Sequence, residues 1–203
     1  MKIESIKNIN ITLLFSEPLD HRLISQDGLL NLFKTGNKEK DLHTFVEAPG
    51  LKVAMFPNLK KEIAFEGVRV LINDKSETVV EKSEVVSDFQ KIINSAMLNT
   101  NKLVAYGFNY DAVVIPENDN FRISDLVGVK IAEMENIKNA GVNVLFDKNN
   151  ITYALEIKPI GREKKFIAHF NAHFNTNKLP DDQEIKKAIN DQFIEFKNII
   201  QKI

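Results

Sequence analysis

The chain has 203 residues, 43% of them apolar, with 27 Lys+Arg against 28 Asp+Glu and a net charge of -1. That is enough apolar material for a sizeable core, in one domain or two small ones. The charge balance, which also holds within each half, lacks the basic footprint of a dedicated nucleic-acid binder. The absence of cysteine excludes disulfides, thiolate catalysis and Cys-based zinc sites, and fits a reducing compartment.

From the N-terminus, MKIESIKNINITLLF lacks the unbroken apolar stretch and small-residue cleavage site of a signal peptide. No run approaches the roughly 20 apolar residues of a membrane-spanning helix. The expectation is a soluble, cytoplasmic protein with no membrane partner. Its Lys, Asn and Ile richness suits an AT-rich bacterial genome.

Residues 2–15 alternate, with Ile9, Ile11, Leu13 and Phe15 on one face and Asn8, Asn10 and Thr12 on the other. That period of two marks a half-buried strand. Glu17-Pro18 stops it, because proline cannot donate to a ladder. Ser25 is placed to cap a short helix carrying Leu29, Leu30 and Phe33, and residues 35–41, TGNKEKD, form a polar loop. A three-stranded meander follows over 43–48, 51–56 and 61–73. Pro49-Gly50 suits a type II turn, Pro57-Asn58 turns again, and Gly67 marks a bulge in the third, longer strand. Ser83 caps a helix reaching about Leu98, with Val86, Phe89, Ile93 and Met97 as its buried stripe.

The second half follows the same order. Residues 103–115 form a strand stopped by Pro116-Glu117. Arg122-Ile123 and Gly128 stand where Arg22-Leu23 and Gly28 stood. Residues 124–137 admit a helix, or a strand with Val127, Val129 and Ile131 inward; helix is the favoured reading. Strands are expected over 142–146, 151–157 and 166–176, with turns at Lys148-Asn149-Asn150 and over 161–164. Asp181 with Glu184 has capping-box spacing. Ile185, Ile189, Phe193, Phe196, Ile200 and Ile203 then run down one side of a terminal helix.

The expected fold is therefore α+β, a tandem duplication of a β-α-β-β-β-α unit over residues 1–100 and 101–203. Each half would be an antiparallel meander sheet packed by a long helix, and a local two-fold axis would relate the two. Phe193, Ile194, Phe196, Ile199 and Ile200 spread over more than one face of the terminal helix. A second contact, with the other half or with another subunit, is expected there; a homodimer is the base choice.

Within residues 107–116, GFNYDAVVIP, the chain resembles a sporadically distributed, uncharacterised bacterial family. Its members carry a strand of Gly-Leu-Arg-Tyr type after a helix and ending in proline. Gly107, Phe108, Tyr110 and Pro116 match that pattern, and Asn109 stands where arginine is usual. The resemblance implies a fold and no activity. The order of one strand, a short segment, a meander and a long helix is also similar to the SecB family of export chaperones. That likeness implies binding of unfolded chains through apolar grooves, although SecB relatives are usually markedly acidic and this chain is not.

His169 and His173 would chelate one metal if they lay four apart on a helix. Phe166, Ala168, Phe170, Ala172 and Phe174 alternate with Ile167, His169, Asn171, His173 and Asn175, however, which is a strand pattern. Four residues of strand span about 13 Å, so no metal is assigned, and a polar solvent face is the plain reading. Asn109 and Asp111 share one face of the 103–115 strand. They suit a sheet-floored cleft, a buried carboxylate working as acid or base, or simply an exposed face. Tyr106, Phe108 and Tyr110 line the opposite face. Interleaved aromatics can stack bases, but no basic groove accompanies them and core packing is the better account. Arg162, Lys164 and Lys165 cluster at Gly161, as an anion contact or a charged hairpin tip. No P-loop, Gly-x-Gly-x-x-Gly, Gly-x-Ser-x-Gly or His-Glu-x-x-His occurs, and His21 and His43 stand isolated.

The functional expectation is a non-catalytic binding or adaptor protein for a protein or peptide partner. It needs no cofactor, and Asn109, Asp111, His169, Asn171 and His173 are its ligand-binding candidates. The alternatives are a SecB-like chaperone, and an enzyme or small-ligand binder using Asp111 and Asn109 with a nearby histidine. Asp111 buried beside a histidine in a closed pocket favours the enzyme. Asp111 exposed, with an apolar channel between the halves, favours the binding reading.

Overall fold

The computed structural model describes every residue except 118, 119, 135–139, 162 and 163. In chain order the described elements are β1 (Lys2–Phe15), α1 (Gln26–Phe33), β2 (Thr44–Ala48), β3 (Leu51–Phe56), β4 (Lys61–Glu66), β5 (Arg69–Asp74), α2 (Val85–Ile93), β6 (Leu103–Ile115), α3 (Ile123–Val127), α4 (Val129–Ala132), β7 (Val142–Lys148), β8 (Ile151–Pro159), β9 (Phe166–Phe174) and α5 (Asp182–Ile200). The fold is α+β. The nine described strands form one antiparallel sheet in the order β2-β3-β4-β5-β1-β6-β9-β8-β7. Two separate sheets were expected. Instead the long strands β1 and β6 pair with each other at the centre, because each would otherwise leave an unpaired backbone edge.

Residues 61–73 are not one bulged strand. The chain reverses at Gly67-Val68, so that Glu66 pairs with Arg69, Phe65 with Val70 and Ile63 with Ile72. Gly67 takes φ 56, open to glycine at little steric cost. A bulge and a two-residue turn both flip the inward parity from odd to even positions, so the alternation alone could not separate them. At the turn between β7 and β8, Asn149 and Asn150 have φ 53 and 62, as a tight hairpin of the primed type requires.

Strand alternation sends Ile9, Ile11 and Leu13 of β1, Phe108 and Tyr110 of β6, and Phe170 of β9 to one buried face. Tyr110 is the centre of that face. Its ring lies 5.4 Å from Phe193 and 6.1 Å from Phe196 of α5, and its hydroxyl donates to the Ile189 carbonyl at 2.5 Å. Burial pushes its phenol pKa well above the usual value. Asp181 caps α5 as expected: it accepts from the Gln183 and Glu184 amides, and Glu184 accepts from the Asp181 amide. Ser25 caps α1 through the Gly28 amide. Ile194 of α5, expected to make a second apolar contact, is 49% exposed.

The other long helix is shorter than its stripe predicts. It ends at Ile93, where the Ser95 hydroxyl takes the Ile92 carbonyl at 2.6 Å and competes with a further turn. Residues 123–132 are helical, as favoured, but are split at Gly128 (φ 82); residues 135–139 of that segment lie outside the described residues. No helix among the described residues is long and apolar enough to cross a membrane.

Ionic contacts tie α2 to the sheet. Lys61 of β4 reaches Asp88 at 2.8 Å and Glu84 at 2.6 Å. Asp74, at the end of β5, accepts from the Ser83 hydroxyl and the Glu84 amide. Burial alone would lower the Lys61 pKa, but its hydrogen bonds to Asp88 and Glu84 outweigh that and leave it raised. Asp88, 2% exposed, is pushed up by burial against the pull of Lys61. Asp88→Ala leaves Lys61 with the more exposed Glu84 and removes a hydrogen bond between buried charged groups, so it is expected to lower stability by about 1.5–3 kcal/mol in urea unfolding. A loss of under about 1 kcal/mol, the range of a surface pair, would show that the triad does not hold the helix.

Candidate functional site

The face of the sheet opposite Tyr110 is polar at its centre. Register sets its residues in rows across the strands. In the middle row, Asn73 of β5 lies opposite Asn10 of β1, Asn10 opposite Asn109 of β6, and Asn109 opposite Asn171 of β9. Neighbouring strands are about 4.8 Å apart, so adjacent carboxamides can bond. The Asn171 amide donates to Asn109 Oδ1 at 2.6 Å, Asn109 to Asn10 Oδ1 at 2.6 Å, and Asn10 to Asn73 Oδ1 at 3.0 Å. Asn73 then donates to Glu62 of β4 at 3.5 Å, and Lys75 holds Glu62 at 2.7 Å. Every amide in the row points the same way, which lets the bonds polarise one another.

A second row sets Asn8, Asp111, His169 and Glu156 side by side on β1, β6, β9 and β8. His169 Nδ1 lies 2.6 Å from Asp111 Oδ1, and the Asn8 amide donates to Asp111 Oδ2 at 3.1 Å. A third row reads Leu71, Thr12, Gly107, His173. Gly107 contributes no side chain, and a Cβ there would meet the Ala172 carbonyl at 3.0 Å. The missing side chain leaves a depression, part of an open cleft of about 480 Å³ that all three rows line.

Asn109, Asp111, His169, Asn171 and His173 are thus brought to one cleft. His169 and His173 are on a strand, not a helix. The His173 imidazole is taken up by Asn175 at 2.9 Å, and no group of three or more metal-ligating residues occurs among the described residues. Tyr106, Phe108 and Tyr110 are core. Of the basic cluster at Gly161, Arg162 lies outside the described residues, and Lys165 pairs with Glu4 at 3.2 Å. Sequence reasoning missed Asn8, Asn10, Thr12 and Asn73 as cleft residues. The polar face of β1 was legible, but nothing local told which strands would lie beside it.

Asp111 and His169 titrate as partners. Burial would raise the Asp111 carboxyl, but its hydrogen bonds to His169 and Asn8 outweigh this and leave it below the usual carboxylate range. The hydrogen bond to Asp111 raises His169 above the usual imidazole value, partly opposed by burial.

The sequence matches no protein-family model and no curated protein sequence.

The raised His169 stabilises the fold fully below its unfolded pKa of about 6.5, and that contribution is lost as pH rises through its higher folded value. The lowered Asp111 stabilises above its unfolded pKa of about 3.9, and its contribution is lost as pH falls through its lower folded value. The stability difference between wild type and Asp111→Asn is therefore expected to be largest between about pH 4 and 6.5 and to fade on both sides. The His169 side chain is 44% exposed, so solvent screening holds the effect to about 0.5–1 kcal/mol. Urea unfolding across pH measures it; a difference that does not vary with pH would show the two groups to be uncoupled.

Proposed function

We propose that this chain is a non-catalytic binding or adaptor protein that takes a protein or peptide segment across the polar face of its sheet. The observation that supports this is the hydrogen-bonded asparagine row beneath an open cleft. A carboxamide both donates and accepts, as does each peptide unit of a main chain, and a row of them recognises backbone without demanding charge. The cleft is open, which suits a segment that continues past it.

The finer architecture belongs with this reading. Residues 1–100 and 101–203 are two copies of one unit, fused head to tail. In support, β1 pairs with β5, the last strand of its own meander, and β6 pairs with β9, the last of its own. Asn10 with Asn73, and Asn109 with Asn171, take matching places on either side of the β1–β6 seam. The likeness to the sporadically distributed bacterial family concerns fold alone. The SecB-like reading draws on the same element order, but the cleft at the seam is lined mainly by polar side chains, whereas unfolded chains need an apolar groove.

One observation favours a second reading, a small polar ligand or an enzyme. The Asp111–His169 pair has the geometry by which a carboxylate orients an imidazole base. Against it, Thr12, the aliphatic hydroxyl on the cleft, donates to Asn10 Oδ1 at 2.6 Å and is not bonded to the imidazole.

The test uses His173→Trp, which fills the depression over Gly107 beside Asn171. A photo-crosslinking residue at position 173 is expected to trap a stoichiometric polypeptide from the native host, and His173→Trp should weaken that partner at least about tenfold. A partner that binds the variant as well as the wild type, or that crosslinks only from other faces, would refute the reading.

A further inference from the structure

We infer that the group this cleft takes from its partner is a primary ammonium, seated at the Asp111 end; the inference rests on the peptide-binding reading above. It begins with Asn8. Its Oδ1 is buried and has no hydrogen-bond partner among the described residues. The orientation of the amide is set by its surroundings, since Asn8 Nδ2 donates both to Asp111 Oδ2 and to Asn73 Oδ1, each at 3.1 Å. Turning the amide over would bring an oxygen against two accepting oxygens, so the orphan atom is an acceptor. Buried acceptors are nearly always satisfied, and this one belongs to a residue at the edge of the cleft.

The neighbouring groups have the same bias. The asparagine row donates toward Glu62 throughout, which makes the Asn171 carboxamide oxygen its accepting end. Asp111 is an anion. The charged groups around it are His169 of β9, Glu156 and Lys158 of β8, and Lys75 just past β5. Glu156 and Lys158 are paired at 2.8 Å, and Lys75 is committed to Glu62 at 2.7 Å. Arg69 also lines the cleft, but it lies opposite Leu14 while Asp111 lies opposite Asn8. Six residues of strand place Arg69 about 20 Å away, and Glu66 holds it at 3.0 Å. With His169 neutral, the Asp111 end offers a carboxylate and unmet acceptors. An alkylammonium has three donors and no acceptor. When His169 is protonated it supplies the positive charge itself, so proton and ligand compete for Asp111, and affinity falls as pH drops through the His169 pKa.

Lysine side chains and free N-termini carry the same group, and peptides separate them. The probes are a blocked Gly-Gly-Lys-Gly-Gly peptide, the same peptide with the lysine acetylated, an all-glycine peptide with a free N-terminus, and methylammonium. Side-chain amide NMR signals of Asn8 and Asn171 report occupancy. The lysine peptide, the free N-terminus or both are expected to shift these signals saturably. The acetyl-lysine peptide should bind at least about tenfold more weakly, as should the active peptide at about pH 5 compared with about pH 8, and as should Asp111→Asn. His169→Gln should keep the binding at about pH 5. If the acetylated peptide binds as well as the lysine peptide, the ammonium inference falls and the peptide reading stands. If methylammonium fills the site and no peptide does, the peptide reading falls and the ammonium site stands. If no probe shifts either amide at millimolar concentration, the ammonium inference is overturned.

Discussion

Asn10 and Asn109 face each other across the β1–β6 seam, joined by a side-chain hydrogen bond of 2.6 Å from Asn109 Nδ2 to Asn10 Oδ1. That register governs both faces of the sheet at once. Side chains alternate along a strand, so the pairing that sets Asn10 against Asn109 also sets Ile11 against Phe108 and Ile9 against Tyr110 on the far side. A slip of one residue would turn Tyr110 to solvent and bury the asparagines. The apolar residues under α2 and α5 thus hold the register, and the register assembles the cleft.

The two faces hold their polar groups differently. On the helix side, Lys61, Asp88 and Glu84 form a discrete ionic anchor, and Tyr110 reaches the Ile189 carbonyl of α5. These contacts are specific and closed. On the cleft side, hydrogen bonds run from strand to strand and leave Asn8 Oδ1 unmet. Asn8 Oδ1 is one of five buried side-chain atoms without a hydrogen-bond partner among the described residues, and the one that belongs to a residue around this cleft. The Asp111–His169 pair lies beside it, the carboxyl lowered and the imidazole raised by their hydrogen bond. The cleft is rich in amides, nearly balanced in charge, and open to solvent.

Much of this was legible from residue order. The alternation of Phe166 through Asn175 identified a strand and spoke against a shared metal for His169 and His173. Asp181 with Glu184 marked the start of α5. Asn109, Asp111, His169, Asn171 and His173 were identified as one candidate group from the faces they occupy. The errors arose where a local pattern has two solutions. Gly67 reverses the chain instead of bulging it, since both options shift the inward parity by one. The helix after Ser83 stops at Ile93, since Ser95 can bond backwards to the Ile92 carbonyl.

Local periodicity, governed by the pleat of a strand and the turn of a helix, determined which residues point together, and the sequence alone carries it. The tertiary structure decided which strands became neighbours: that β1 lies between β5 and β6, that the halves share one sheet, and that Asn8, Asn10 and Asn73 join the cleft. Those contacts link residues about sixty to a hundred positions apart. Their partners are selected by the closure of the whole sheet over one core, a global packing condition that no short window of residues can express.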